Sequence, residues 1–169
     1  MKKIEVRRSK IHGSGIFASK KILKGEKVDS IEGELVVKKI TSPEESKKFA
    51  DWIGVGINKW INTDASVFRF INHACEPTTA ITSARTVRAL RDIEKGEEIT
   101  MDYSLTDADP FWKIDCTCGS PKCRGEIRSI QTLPKAVILE RLPYITNNFQ
   151  RAYLKHYISN ESNGFSGVA

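Results

Sequence analysis

No stretch of this chain approaches the roughly 18 consecutive apolar residues that cross a bilayer as a helix, so a membrane-spanning reading has nothing to rest on. A secretory leader is not expected either. The lysines of Met1-Lys2-Lys3 are followed by Glu5, Arg7 and Arg8, where an apolar core would have to begin. These absences predict a soluble, intracellular protein, cytoplasmic or nuclear according to its organism. Internal repeats and long linkers are also absent. The 169 residues, 40% of them hydrophobic, supply one compact core with an appended terminal element and no need of disulfide staples. Aromatic rings are scarce where basic charge is dense. Residues 1–25 hold eight Lys or Arg against Glu5 alone, a balance of +7, which leaves 26–169 at −1 out of the net +6. Only Phe17 lies among those charges, so a solvated lysine-rich face is favoured over a nucleic-acid patch, which would want several stacking rings.

Cysteine is sparse and unevenly placed. Cys116, Cys118 and Cys123 fall within eight residues, and Cys75 stands about forty residues earlier. Three so close together are hard to pair as disulfides, whereas four thiolates close one tetrahedral zinc site.

In chain order, Ile4 to Ala18 alternates, turns at Gly13-Ser14-Gly15 and becomes apolar again, which predicts two strands joined where backbone comes close to something. Taken alone, that glycine pair is an ordinary hairpin turn. Further strands are expected at Leu23–Val28 and Gly33–Val37. Ser42-Pro43-Glu44-Glu45 predicts a helix of about two turns, with Ser42 as cap and two acids near the positive end of the dipole. Trp52 to Ile61 reads as short strands around a hairpin, and Thr78 to Leu90 as two strands. Between them lies the densest segment, Arg69-Phe70-Ile71-Asn72-His73-Ala74-Cys75-Glu76-Pro77, a strand-like apolar run followed by polar groups, a soft metal ligand and a proline turn. Ile99-Thr100-Met101-Asp102-Tyr103 is a strand ending in an acid and a tyrosine, which by itself suits a hydrogen-bonded edge. Residues 106–115 read as a loop. Thr132 as cap and Pro134 open a helix that stops before Pro143, a second helix starts near Thr146, and the chain from Asn160 is expected to fray. The stripe Phe149, Tyr153, Leu154, Tyr157 and Ile158 is read as packing surface.

Placed in order, Gly13-Ser14-Gly15, the Asn72-His73 segment, Gly96-Glu97-Glu98-Ile99-Thr100-Met101-Asp102-Tyr103 and Cys116-x-Cys118-x4-Cys123-Arg124-Gly125 resemble a SET-domain protein lysine methyltransferase. The resemblance covers about 4–125. It implies a mainly β (α+β) fold of small antiparallel sheets with a pseudoknot. The implied divisions are a SET domain over 1–104, a post-SET zinc loop over 105–127, a helical extension over 128–158 and a flexible tail over 159–169. Gly13 and Gly15 would let backbone approach S-adenosylmethionine, Asn72 and His73 would bind it, and Tyr103 would be the catalytic tyrosine. Cys75 would join Cys116, Cys118 and Cys123 around a structural Zn2+. Ala74 and Thr78 depart from the usual serine and asparagine. Met101, two before Tyr103, replaces the usual Phe or Tyr at the substrate channel and predicts transfer beyond one methyl group. No second active-site tyrosine is available in the N-terminal half, because all four tyrosines fall at or after 103.

The activity so implied is methyl transfer to a lysine of a basic protein such as a histone tail. Acids Asp102, Asp107, Asp109 and Asp115 are expected near the channel, and Phe111, Trp112 and Ile127 in a lid over it. The C-terminal helices would position substrate or build a homodimer. Two other readings compete: a non-catalytic SET-fold module binding basic peptides, and a zinc-stabilised nucleic-acid binder. Retention of Asn72, His73 and Tyr103 together argues against the module, which has no chemical need of all three.

Overall fold

The computed structural model describes residues 3–83 and 85–164, with side chains placed as far as Tyr157. The chain opens with a hairpin of β1 (Ile4–Arg8) and β2 (Ser14–Ala18), in register from Ile4 opposite Ala18 to Arg8 opposite Ser14. Its connecting turn uses Gly13 at φ 46°, a left-handed value that glycine adopts without a Cβ penalty. Next come β3 (Lys27–Ser30), β4 (Glu34–Val37) and α1 (Pro43–Lys48). The Ser42 side chain caps α1 by accepting from the Glu45 N–H, as its sequence predicts. A hairpin of β5 (Ile53–Gly56) and β6 (Lys59–Asn62) pairs with β4 to make a separate three-stranded sheet.

The apolar run before Asn72 is a departure from expectation. Val67–Phe70 is a 3-10 turn rather than a strand, because Ser66 caps it through its side chain, accepting from the Phe68 N–H. Only Asn72–His73 (β7) is extended and paired. After it come β8 (Thr79–Ile81), β9 (Thr86–Ala89) and β10 (Glu98–Met101). The main sheet runs β1-β2-β10-β8-β9-β3, with β7 also on β10. Its pairings are antiparallel except where β10 meets β7 and β8. Late strand β10 thus sits between early β2 and the middle strands, an interleaving that the expected pseudoknot asks of the strand order. It places Met101 beside His73, and Thr100 beside Asn72. Ile16, Ile22, Ile61, Val87, Ile93 and Ile99 are fully buried around this sheet. Each contributes about 1.5–3 kcal/mol by leaving water.

Beyond the 3-10 turn Tyr103–Thr106, the expected loop contains a strand, β11 (Lys113–Asp115), paired with β12 (Glu126–Arg128). The hairpin β5–β6 abuts this part of the chain. A Cβ on Gly54 would lie 1.9 Å from the Thr106 carbonyl oxygen, so only glycine fits the contact. Thr132 does not cap a helix: its hydroxyl donates to the Ser129 carbonyl within the 3-10 turn Ile130–Thr132, and Pro134 occupies the cap position of α2 (Lys135–Arg141). The last helix, α3 (Asn147–Gly164), carries on through the first residues of the expected tail, and 165–169 lie outside the described residues. Phe149 and Tyr153 of α3 do pack inward, against Leu105, Ile130, Leu133, Ile138 and Ile145, while Leu154 stays exposed.

The basic N-terminal face is partly neutralised in place. Lys3 pairs with Glu26 at 2.5 Å, Lys21 with Glu94 at 2.7 Å, and Arg7 lies over the Phe17 ring at 4.3 Å. No helix among the described residues is long and apolar enough to cross a membrane.

Candidate active site

A cleft of about 300 Å³ opens where the turn before β2, the 50–54 segment, β7, the end of β10 and the β11–β12 loop converge. Among the singled-out residues, Asn72, His73, Met101 and Tyr103 line it together, with Cys116 and Cys118 of the cysteine loop. Met101 is buried to 3% exposure. Trp112 and Ile127 form part of its wall, as expected of the lid, whereas Phe111 is exposed and stays outside the lining.

Tyr103 is fixed at both ends. Its N–H donates to His73 Nδ1 at 3.2 Å, and its hydroxyl donates to the Ile71 carbonyl at 2.5 Å. Burial, reinforced by the Asp51 and Glu98 carboxylates, pushes the phenol far above its usual range, so it stays protonated. With its proton committed to Ile71, the hydroxyl can offer the cleft only lone pairs. Trp112 stands 6.3 Å away, ring to ring.

His73 is held neutral. Burial drives its imidazole down to about 4, against Asp102, which favours the charged form, and with help from Arg124. Since Nδ1 accepts from Tyr103, a neutral ring must carry its proton on Nε2, 3.3 Å from Cys75 Sγ. The orientation of the tyrosine backbone and that of the cysteine sulfur are therefore linked through one imidazole.

Behind these residues lies a pair of which the sequence reading placed one member, Asp102, at the channel. Asp102 is not a channel acid. It is 2% exposed and accepts two bonds from Arg124, at 2.8 and 2.7 Å, while Arg124 also reaches Ser104 Oγ at 3.2 Å. A carboxylate so buried needs a bidentate cation, and the Cys-Arg-Gly sequence supplies it from a loop 22 residues away. Asp109 is likewise turned inward, its carboxylate accepting from the Phe111 N–H at 2.9 Å. The acids that do line the cleft are Asp107, Asp115 and Asp51. Asp51 and neighbouring Trp52 carried no local signal, because the helix and hairpin around them looked self-sufficient.

Gly13 and Gly15 lie just beside the cleft, whose nearest contributions from their turn are Ile11 and His12. The Asn72 amide nitrogen holds this turn by lying 3.2 Å from the His12 carbonyl and 3.1 Å from that of Ser14. The same nitrogen is 2.8 Å from Glu98 Oε1.

The cysteines gather at the far end. Cys75 and Cys116 are buried with their sulfurs 3.7 Å apart. Two thiolates each about 2.3 Å from one tetrahedral ion stand about 3.8 Å apart, so this spacing fits zinc. The donor atoms that all lie within 4.8 Å of one another belong to His73, Cys75, Cys116 and Cys118. Cys123 is exposed, 3.6 Å from the Cys116 carbonyl oxygen, and its sulfur accepts from the Gly125 N–H. Burial raises the Cys75 and Cys116 thiols. It also opposes the Cys118 thiolate, but hydrogen bonds from backbone at 75 and 120 and from the Cys116 and Cys123 side chains outweigh it and bring that thiol to about 7. The loop is clamped back on the Asn-His segment by Ser120, which donates to Glu76 at 2.6 Å, and by the Arg124 N–H, which reaches Cys75 Sγ at 3.3 Å.

Comparison with known proteins gives the family. The family model described as SET domain matches residues 13–104, more than half of the chain. Human histone-lysine N-methyltransferase 2B is 34% identical over 137 residues, covering 72% of this chain and 5% of its own. Drosophila melanogaster histone-lysine N-methyltransferase trithorax is 36% identical over 137 residues, 72% of this chain and 4% of its own. The Schizosaccharomyces pombe histone-lysine N-methyltransferase that is H3 lysine-4 specific is 35% identical over 133 residues, 69% of this chain and 14% of its own. The chain thus spans a small fraction of the length of these relatives. The match takes in the cleft's Asn72, His73, Met101 and Tyr103 in the order the sequence presents them, and the chain belongs to the SET domain family.

Proposed function

We propose that this chain is an S-adenosylmethionine-dependent protein lysine N-methyltransferase acting on a basic protein or peptide of the histone-tail kind. The convergence of Asn72, His73, Met101 and Tyr103 on one cleft carries the proposal. Its relatives are named histone-lysine methyltransferases, and the acids Asp51 and Asp115 in the lining suit a cationic peptide.

S-adenosylmethionine, when bound, supplies an electrophilic methyl group on a sulfonium. The Gly13–Gly15 turn, Asn72 and His73 would hold it. Transfer to an amine is an in-line displacement, so the protein has to align two reactants and exclude water rather than form a covalent intermediate. The walls built by Met101, Trp112 and Ile127 are apolar, and an ammonium brought among them loses its proton more readily. Tyr103, with only lone pairs free, accepts from the incoming amine and aims the remaining pair of that nitrogen. Divided by role, 1–104 is the SET domain, 105–127 the zinc loop and 128–158 the helical extension.

Cys75, Cys116, Cys118 and Cys123 are assigned to a structural zinc ion. His73 stands next to the site but its Nε2 carries a proton, so it serves as a donor to the Cys75 thiolate, an outer contact of the kind that orients metal ligands. A site closed by four thiolates leaves no position for substrate, and the metal's role is to hold the loop over the cleft.

The test is methyl transfer from labelled S-adenosylmethionine to histones and other basic proteins, with Tyr103→Phe alongside. Wild type labels a basic protein, and the variant, with unchanged circular dichroism, is slower by about 10²-fold or more. Wild type that binds S-adenosylmethionine yet labels no protein would give way to the non-catalytic, peptide-binding module.

A further inference from the structure

Glu98 opens β10, pairing with Phe17 of β2, and its half-buried carboxylate turns back toward the Ser9–Ser14 turn. Three groups meet it there. Asn72 Nδ2 donates to Oε1 at 2.8 Å, and Ser9 Oγ lies 2.8 Å from Oε1 and 2.9 Å from Oε2. Ser9 Oγ also accepts from the Ile11 N–H at 2.9 Å, so the start of the turn is tied to the same carboxylate. The third group is Gly15, whose backbone is not in the left-handed region. What Gly15 supplies is space: a Cβ there would sit 2.3 Å from Glu98 Oε1.

Asn72 and His12 line the cleft, and Glu98 does not. Any effect of Glu98 on a bound molecule therefore passes through the residues it holds. Without it, the Asn72 amide keeps only the His12 and Ser14 carbonyls, Ser9 loses the acceptor for its proton, and the turn is fixed by one side chain in place of two.

We propose that Glu98 is the positioning residue of the cofactor turn, fixing Asn72 and residues 9–14 in the arrangement that receives the methyl donor, and that Gly15 is glycine to admit its carboxylate. This deepens the methyltransferase reading and rests on it. It makes Glu98 selective: it acts on S-adenosylmethionine affinity and leaves the channel for the protein substrate alone.

The experiment uses the full chain carrying Glu98→Ala, Glu98→Gln, Ser9→Ala, Gly15→Ala and the Gly15→Ala/Glu98→Ala double change. S-adenosylmethionine affinity is measured by calorimetry and steady-state constants for both substrates by methyl transfer. Loss of a charged hydrogen-bond acceptor predicts that Glu98→Ala raises Kd and KM for S-adenosylmethionine about tenfold or more, with KM for the protein substrate unchanged and kcat at saturation within about threefold. Glu98→Gln keeps an acceptor for Asn72 and recovers most of the affinity. Gly15→Ala is damaging alone but adds less in the Glu98→Ala background, where the closest clash is gone and the Ser9 Cβ at 3.0 Å remains. A role in stability alone would instead lower the melting temperature without separating the two KM values. Should Glu98→Ala fail to fold, Ser9→Ala reads the same network, with S-adenosylmethionine affinity weakened about two- to threefold. Wild-type affinity in both Glu98→Ala and Ser9→Ala, or in Ser9→Ala where Glu98→Ala does not fold, overturns the assignment while leaving the enzyme reading intact, and so does Gly15→Ala damage that is equal in both backgrounds. A wild type that binds no S-adenosylmethionine overturns the enzyme reading, and this assignment with it.

Discussion

Asp107 and Met101 show how much one residue in the cleft wall decides. Burial, above all, lifts the Asp107 carboxyl from 3.8 to about 7, with the Asp109 charge adding and the Asp109 N–H opposing. Its proton is held more tightly in the folded protein than in the unfolded chain. The stability it contributes is therefore whole below about pH 4 and is lost as pH rises through about 7. Asp107→Asn keeps an acceptor for the Asp109 N–H and has no charge to bury. Urea unfolding from pH 4 to 8 should show the variant gaining on wild type across that window, by on the order of 3–4 kcal/mol at the upper end; parallel curves would remove Asp107 from the account. Met101, buried in the cleft wall, has a flexible thioether and no hydroxyl to fix a water. Products beyond monomethyl-lysine should accumulate in wild type, and Met101→Tyr should hold the reaction nearer the first methyl. Mass spectrometry of substrate peptides reads both, and monomethyl-lysine alone at long times would sink the expectation.

Between elements, the Asp102–Arg124 pair does the joining. It bolts the loop after β11 to the end of β10, one residue from Tyr103. Arg124→Ala leaves a carboxylate buried without its cation and should cost about 3–5 kcal/mol. Adding Asp102→Asn should recover a substantial part of that loss, and a double variant no more stable than Arg124→Ala would show that the packing of the arginine, not its charge, matters. This pair marks the boundary of what residue order reveals. Ser42-Pro43 and the hairpin read over Trp52 to Ile61 were legible because each is settled by neighbours within a few positions. Asp102 was misread as a channel acid because an isolated acid looks the same whether its partner is a substrate or an arginine in a distant loop. The 3-10 turn Val67–Phe70 was hidden for a related reason: its apolar residues suit a strand, and the Ser66 cap outweighs them. Glu98 was visible as a letter of its segment, but its partners Ser9 and Asn72 lie 89 and 26 residues off.

At the scale of the whole molecule, three clusters of buried side chains divide the labour. The largest belongs to the main sheet, the second to the C-terminal helices, and the third gathers Cys75, Trp112, Cys116 and Ile127. Metal removal should act on the third alone. Chelation is expected to raise amide hydrogen exchange over 104–128 and to depress methyl transfer, leaving protection in β1, β2 and β8 to β10 intact. Exchange that rises everywhere at once, or freshly purified protein without zinc, would contradict this division. The cleft itself is walled by residues from Ile11 to Ile127, and no single stretch of chain encloses it. During synthesis, then, a ribosome-bound chain carries Asn72 and His73 long before the strand and loop that complete their surroundings have been made. The last wall arrives with Ile127, so no stretch of chain that stops short of that residue can enclose the cleft.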